Sequence, residues 1–326
     1  MTGKGQRYSF GLAESLLAEV AGVPQAALHT DVDAMIRAAE AIVPVAERLG
    51  VDPPRPHLAG LAYIHVSTVG CEVTISPDAM EPAVRPCIHR PEDIDALAEP
   101  EDYLSAGIVP WRLELARKLK ARRPDADDHI GHDYEGPVTT AALMMGQDFF
   151  TLPHDDPARA HRLLGFCVDS ALNYARALRR LQGRPFQPGP GGFCDDFAGI
   201  FGPEMFAEFV VPYWEKMYQG IQATRRGVHS ELLRAEHLPF LAQLRIDEYD
   251  PSVDQYLTPE TLKRSCPVPY TLRMWPAEVM SCSAEELVEM YRYRASFRPT
   301  VISFGMAGLS EEAKIAALLE VARELA

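Results

Sequence analysis

The sequence predicts an α/β fold, a (β/α)8 barrel preceded by a few helices. Short strand-like runs alternate with helices along the chain, which implies a parallel sheet. Polar residues gather where several of these runs end, and in a parallel barrel the catalytic residues lie at that C-terminal face. A dinucleotide-binding sheet is disfavoured, because the first run leads into STVGCEVTISPDA without a GxGxxG turn. The runs lie at residues 61–69, 127–137, 191–200, 227–231, 244–250, 270–276 and 300–306.

The helices between these runs have recognisable start signals. Asp156 and Thr258 are capping residues that each precede a proline, and Ser283 begins a capping box with Glu286. The final segment, residues 310–326, repeats its apolar residues at helical spacing. We therefore expect a single domain over residues 1–326, with a helical extension at 1–59 and the barrel at 60–326.

Composition excludes some classes of function. A formal net charge of −14 argues against nucleic-acid binding through a basic surface. The N-terminal residues lack the apolar region of a signal peptide, and no stretch reads as a membrane span. The six cysteines are scattered without a CxxC pair, which favours reduced thiols in a cytoplasmic protein. A homodimer is compatible with these observations.

The stretch GVHSELL contains the most informative pair, His229 and Glu231. If the strand continues through both residues, their side chains point to the same side. Histidine and carboxylate can hold a catalytic zinc ion with a third ligand, for which Glu248 or Asp250 on the next strand is the natural candidate. Alternatively, Glu231 accepts a hydrogen bond from His229 and the two form a metal-free acid/base pair.

Other acidic residues lie at the ends of predicted strands. Asp195 and Asp196 are adjacent, so only one of them can point inward along a strand; both are candidates for catalysis. Asp133 and Glu135 are two residues apart and could share a face, where one carboxyl would have a raised pKa suited to a general acid. A hydrogen-bonded turn before Gly136 is an equally good explanation of this second pair.

Three further residues are candidates for substrate binding. Arg273 is a plausible anion anchor at the barrel mouth, and Trp275 a plausible flat wall for a ring, although Trp275 fits an ordinary core position equally well. His65 lies near the end of the first predicted strand, at the same face of the barrel.

Three segments resemble uroporphyrinogen decarboxylase and its relatives. They are CIHRPEDIDALAEPED, YEGPVTTAALMMGQDFFTLPHDDPARAHRLLGFCVD and DDFAGIFGPEMFAEFVVPYWEKMYQGI. The last resembles a family signature in which an acidic strand end precedes a helix reading Phe-x-x-Phe-x-x-Pro-Tyr. The resemblance covers roughly residues 60–326 and implies one TIM-type barrel.

Within that superfamily, VGCEVTISPDAMEPAVRP is more similar to the methylcobamide-dependent methyltransferases. The arginine-rich motif with which true decarboxylases hold substrate carboxylates is absent, and Arg55 is a lone candidate. The methyltransferase resemblance implies zinc held by a His-x-Cys pair and a second cysteine. His229 takes the place of that histidine. Glu231 stands where the first cysteine would be, and Gly305 and Met306 where the second would be.

The resemblance thus implies a methyltransferase that moves a methyl group between a corrinoid, or a corrinoid protein, and a small acceptor. His229, Glu231 and Glu248 would be zinc ligands if zinc is used. One alternative is a metal-free decarboxylase acting on a porphyrinogen or another polycarboxylate, with Asp195 or Asp196 facing the pyrrole nitrogens. The other is a barrel that binds a tetrapyrrole or corrinoid without catalysis.

Overall fold

The computed structural model describes residues 5–76, 82–127, 129–130 and 134–326. Its strands are β1 Tyr8–Leu12, β2 Glu72–Thr74, β3 Ala83–Arg85, β4 Gly189–Cys194, β5 Ala223–His229, β6 Glu248–Asp250, β7 Leu272–Arg273 and β8 Ile302–Met306. The helices of the first half are α1 Glu14–Ala21, α2 Ala27–Thr30, α3 Val32–Ala41, α4 Val43–Leu49, α5 Ile64–Thr68, α6 Val109–Arg122, α7 Pro137–Met145, α8 Leu152–Asp155 and α9 Pro157–Leu181. Those of the second half are α10 Pro203–Phe209, α11 Val211–Gly220, α12 Leu238–Gln243, α13 Pro259–Ser265, α14 Pro276–Ser281, α15 Ala284–Ser296 and α16 Glu312–Leu325.

The strands of the barrel are parallel and follow one another in space. β4, β5 and β6 form one group, and β7, β8 and β1 form a second. A parallel bridge between Tyr249 and Tyr270 connects the two groups, so the order is β4-β5-β6-β7-β8-β1. Helices alternate with the strands from β4 onward, as the α/β prediction requires. The short pair β2-β3 is antiparallel and lies outside this series.

The N-terminal part of the chain differs from the prediction. Residues 8–12, assigned from sequence to a helical extension, form β1, which pairs with β8 in register from Tyr8–Ile302 to Leu12–Met306. Residues 61–69, predicted as the first strand, instead contain helix α5, and all five residues of that helix are buried. The hydroxyls of Ser67 and Thr68 donate to the carbonyls three residues earlier, which favours this helical turn.

The remaining predicted strands are found as β4 to β8; β5 begins earlier and ends earlier than predicted, and the other four are shorter. The exception is residues 127–137, where the described part contains no strand, although the Gly136 N–H donates to the carbonyl of Cys194 at the end of β4. The predicted helix starts are correct: Asp156 accepts from the Arg159 N–H, Thr258 from the Thr261 N–H, and Ser283 forms its capping box.

Helices cover the outer side of the parallel strands. Buried apolar residues of α9 pack against α7 and α11, while Ile302, Phe304 and Met306 of β8 pack against α15 and α16. Each fully buried large apolar side chain contributes about 2 kcal/mol of burial free energy. Among the described helices, none combines the length and apolarity needed to cross a membrane.

Candidate functional site

A cavity of about 460 Å³ is lined by residues of β4, β5 and β6, including the last residue of each strand. In the strand register Cys194 is paired with His229, and His229 with Asp250. Paired residues of a sheet share a face, and all three residues line the cavity. One step deeper along the same faces lie Gly192 and Gly227, so no side chain fills that layer of β4 and β5.

His229 is held between two carboxylates. Its Nδ1 lies 2.9 Å from Asp250 Oδ2, and its Nε2 lies 3.3 Å from Asp196 Oδ1. Burial lowers the pKa of His229, but the hydrogen bond and charge of Asp250, together with the charge of Asp196, outweigh it and raise the pKa above 6.5. The imidazole can therefore carry a proton near neutral pH, stabilised from both sides.

Asp250 has all its acceptor positions directed at protein donors. Oδ2 accepts from His229 and from Arg273 Nη2 at 2.9 Å, and Oδ1 accepts from the Ser252 N–H and the Thr271 hydroxyl, each at 2.9 Å. Burial alone would raise the pKa of Asp250, yet these bonds and the Arg273 charge hold it well below its usual range. Asp250 is thus a fixed anion that orients His229, as buried acids do in catalytic triads.

Asp195 and Asp196 have different roles. Asp195 is fully buried and accepts from Trp214 Nε1 at 2.6 Å, from the Thr139 N–H at 2.7 Å and from the Val138 N–H at 3.3 Å. It therefore caps α7 and binds α11 to it, and burial raises its pKa to about 6. The prediction of catalysis by Asp195 does not fit this placement. Asp196 is the member of the pair that faces His229.

Glu135 is a second acid of the site. Its side chain is buried, and Oε2 has no hydrogen-bond partner among the described residues. Burial, followed by the charges of Asp196 and Asp195, raises the pKa of Glu135 to about 8. The carboxyl is then mostly protonated at neutral pH and can donate a proton or a hydrogen bond. Its predicted partner Asp133 lies outside the described residues.

The three predicted zinc ligands are not brought together. β5 ends at His229, and Glu231 follows it in a half-buried loop, where its carboxylate forms no hydrogen bond or ion pair with another described residue. Glu248 accepts from the Thr300 hydroxyl at 2.7 Å and pairs with Arg225 at 3.4 Å. Neither does Glu231 hold His229 in an acid/base pair, because Asp250 occupies that role.

The donor set does not fit a zinc site. Across the described ranges, no group of three or more His, Cys, Asp or Glu side chains is arranged to hold a metal ion. Met306, at the position of a family cysteine, is fully buried in the core around β8 and α16.

The predicted substrate-binding residues separate into different parts of the fold. Arg273 reaches the site through Asp250. Arg273 and Trp275 line a second cavity of about 240 Å³, which lies between the segments that follow β6 and β7. Neither residue is among those that line the first cavity. His65 is buried in α5, its Nε2 3.1 Å from the Ser170 hydroxyl of α9. Burial lowers the pKa of His65 to about 3, and His65 is not among the residues that line either cavity, so substrate binding there stays a prediction.

Two lining residues were missed or undervalued from sequence. Cys194 was taken as one more buried thiol, but it points into the cavity, where burial and the charges of Glu135, Asp196 and Asp250 raise its pKa to about 12. Thr271 fixes Asp250 and also lines the cavity. Thr271 lies two residues before Arg273, and Cys194 lies opposite His229 on the neighbouring strand. Aligning the strand ends side by side is the signal that could have found both residues.

Comparisons with known proteins agree with this architecture. The family model described as Uroporphyrinogen decarboxylase (URO-D) matches residues 18–266. A solved structure of a methyltransferase from Methanosarcina mazei is similar, with a TM-score of 0.70, 17% sequence identity, and coverage of 99% of this chain and 95% of that chain. The comparison with curated proteins found no match. The expected TIM-type barrel is confirmed, and the chain belongs to the uroporphyrinogen decarboxylase (URO-D) family.

Proposed function

We propose that this protein is a methyltransferase that moves a methyl group between a corrinoid, free or carried by a partner protein, and a small acceptor bound in the cavity of about 460 Å³. The arrangement of His229 carries the proposal: His229 lines the cavity, an ionised carboxylate holds its Nδ1, and its Nε2 lies 3.3 Å from Asp196 Oδ1. The structural likeness to a methyltransferase supports the same reading.

The protein side chains would manage the acceptor's proton. The chemistry that a bound methyl-corrinoid would supply is an electrophilic methyl group, together with a cobalt that would keep the electron pair of the bond that breaks. The acceptor, a thiol, amine or hydroxyl compound, would lose its proton to His229 Nε2 as its lone pair forms the new bond to carbon. Asp250 stabilises the resulting imidazolium, and Asp196 provides the next acceptor on the way to solvent. General base catalysis of this kind contributes about 10²- to 10⁴-fold.

The reverse direction uses the same groups. Imidazolium at His229 would return the proton to the departing atom of a methylated substrate, because a forward base must be a reverse acid. Glu135, protonated at neutral pH, would donate a hydrogen bond to a developing negative charge.

Decarboxylation of a polycarboxylate is less well supported. Glu135 and Glu231 add their negative charge to that of Asp196, Arg273 is already engaged by Asp250, and Arg179 is the one arginine among the described residues that line the cavity. A substrate with several carboxylates needs several guanidinium partners. Cytoplasmic location, a corrinoid protein partner and a homodimer remain predictions.

The test is methyl transfer by purified protein, with methylcobalamin and a panel of thiol, amine and phenol acceptors, followed by the corrinoid absorbance change and mass spectrometry. We expect His229→Gln to lower the rate at least about 100-fold, while His154→Gln, at an exposed position of α8, leaves it unchanged. Uroporphyrinogen consumption would instead support the decarboxylase. Tight corrinoid binding without turnover would support a binding barrel, and either result would overturn the proposal.

A further inference from the structure

Two thiols meet at the base of the β2-β3 hairpin, away from the cavity. Cys71 Sγ and Cys87 Sγ are 3.6 Å apart. Cys71 directly precedes β2 and Cys87 follows β3, so the two residues lie diagonally across the end of an antiparallel pair in which Glu72 is opposite Arg85. A Cβ on Gly70 would lie 3.5 Å from the Cys87 Cβ, which shows how closely the two chains run here.

The backbone holds both cysteines in place. The Cys71 N–H donates to the Val66 carbonyl at 3.1 Å, and the Cys87 and Ile88 N–H groups both donate to the Met144 carbonyl, at 3.0 and 2.9 Å. A disulfide bond is about 2.05 Å long. The sulfurs therefore need to approach by about 1.5 Å, a distance that side-chain rotation can supply without moving these anchors.

The two thiols are not equivalent. Cys71 is 5% exposed, whereas Cys87 is partly exposed to solvent. The Cys71 thiol donates its hydrogen bond to Cys87 Sγ, which lowers the pKa of Cys87; the same bond, with burial, raises the pKa of Cys71. The accessible sulfur is thus also the one with more thiolate character, and the thiolate is the reacting form.

We propose that Cys71 and Cys87 are a modification site, a dithiol that a hydroperoxide converts into a disulfide. The Cys87 thiolate attacks the terminal oxygen of the hydroperoxide, whose O–O bond breaks; the alkoxide that leaves takes up a proton, and Cys87 becomes a sulfenic acid. Cys71 sulfur then attacks Cys87 sulfur, and the hydroxyl group leaves as water with the Cys71 proton. Two thiols and one hydroperoxide give one disulfide, one alcohol and one water.

The consequence is a covalent closure of the chain from 71 to 87. Val66, in the middle of α5, and Met144, in the last turn of α7, are hydrogen-bonded to the two ends of this loop. The disulfide would fix these segments relative to each other until a thiol reductant reopens it. The proposal does not depend on the proposed methyl transfer.

The test is native protein treated with one equivalent of tert-butyl hydroperoxide, followed by intact mass and peptide mapping. We expect a loss of two hydrogens, one peptide linking Cys71 to Cys87, and full reversal by dithiothreitol. Cys71→Ser should leave Cys87 as a sulfenic acid that a dimedone probe captures, and Cys87→Ser should slow oxidation at least about tenfold. Cys282→Ser is the matched control, because Cys282 is also partly exposed, and it should react as the wild type does.

Two outcomes would overturn the proposal. One is oxidation of the wild type that is spread over other cysteines, with no 71–87 peptide. The other is dimedone capture at Cys282 as fast as at Cys87 in the Cys71→Ser variant. Because the peptide map is read on the wild-type protein, a variant that fails to fold does not remove the test.

Discussion

Replacing Glu135 with glutamine is expected to change how the stability of the protein depends on pH. The carboxyl is 9% exposed, and burial, with the charges of Asp196 and Asp195, raises its pKa from 4.5 to about 8. Glutamine has nearly the shape of the protonated acid but does not titrate. The variant therefore isolates the free energy that burial of this one group contributes.

The sign and size of the effect follow from proton linkage. Between pH 4.5 and about pH 8 the unfolded chain ionises Glu135 while the folded chain keeps it protonated, so the folded state binds more protons. The free energy of unfolding then falls as pH rises, by about 1.4 kcal/mol per unit. Between pH 5 and pH 7.5 the free energy of unfolding of the wild type should fall by about 3 kcal/mol relative to that of Glu135→Gln. This loss should level off above about pH 8.

Urea unfolding at pH 5 and pH 7.5, followed by tryptophan fluorescence, measures this difference. The stability gained by Glu135→Gln over the wild type should grow by about 3 kcal/mol between the two pH values. Glu114→Gln is the matched control: the hydrogen bond from Arg117 lowers the pKa of exposed Glu114, so its replacement should give no gain toward pH 7.5. Parallel stability curves for Glu135→Gln and the wild type would refute the reasoning.

Three further predictions concern the neighbouring groups. Asp250→Asn should lower the pKa of His229 by removing its anionic partner, and slow turnover about 100-fold; an NMR titration of the imidazole checks this, and an unchanged pKa would contradict it. Asp195→Asn should destabilise the fold by about 2–3 kcal/mol, because one amide cannot accept all three donors, whereas Asp196→Asn should cost much less in the same urea experiment. The zinc prediction requires about one ion per chain that is lost in Glu231→Ala; the observed donor set predicts no stoichiometric zinc in either protein, and elemental analysis decides.

Local patterns predicted the second half of the barrel well. The signals used were polar residues at the ends of the strand-like runs, proline at helix starts and the capping box at Ser283. All of these are short-range signals, and they predicted β4 to β8 and the helices after them. The strand at Tyr8–Leu12 was missed, because its only support is pairing with β8 at the other end of the chain. The β-branched residues of α5 read as a strand, but burial on every side allows a helix there.

The candidate site was predicted in part. The importance of His229 followed from its place at a strand end, but its partner depends on lateral strand register, which places Asp250 opposite His229 and leaves Glu231 in the loop beyond. Sequence could state that one of Asp195 and Asp196 turns inward. It could not state which, because Trp214, on a helix formed later in the chain, binds Asp195.

Gly192, beneath Cys194 on β4, and Gly227, beneath His229 on β5, differ in how freely a side chain can be added to them. A methyl group on Gly192 would lie 2.6 Å from the Gly227 carbonyl oxygen, so that position is locked by the strand pairing itself. A methyl group on Gly227 would meet only the Glu248 carbonyl oxygen, at 3.9 Å. A single substitution at Gly227 can therefore shorten the molecule that the cavity admits without disturbing the backbone or adding charge. Related chains could diverge in the length of molecule they accept by drifting at this one position, while their chemistry stays the same.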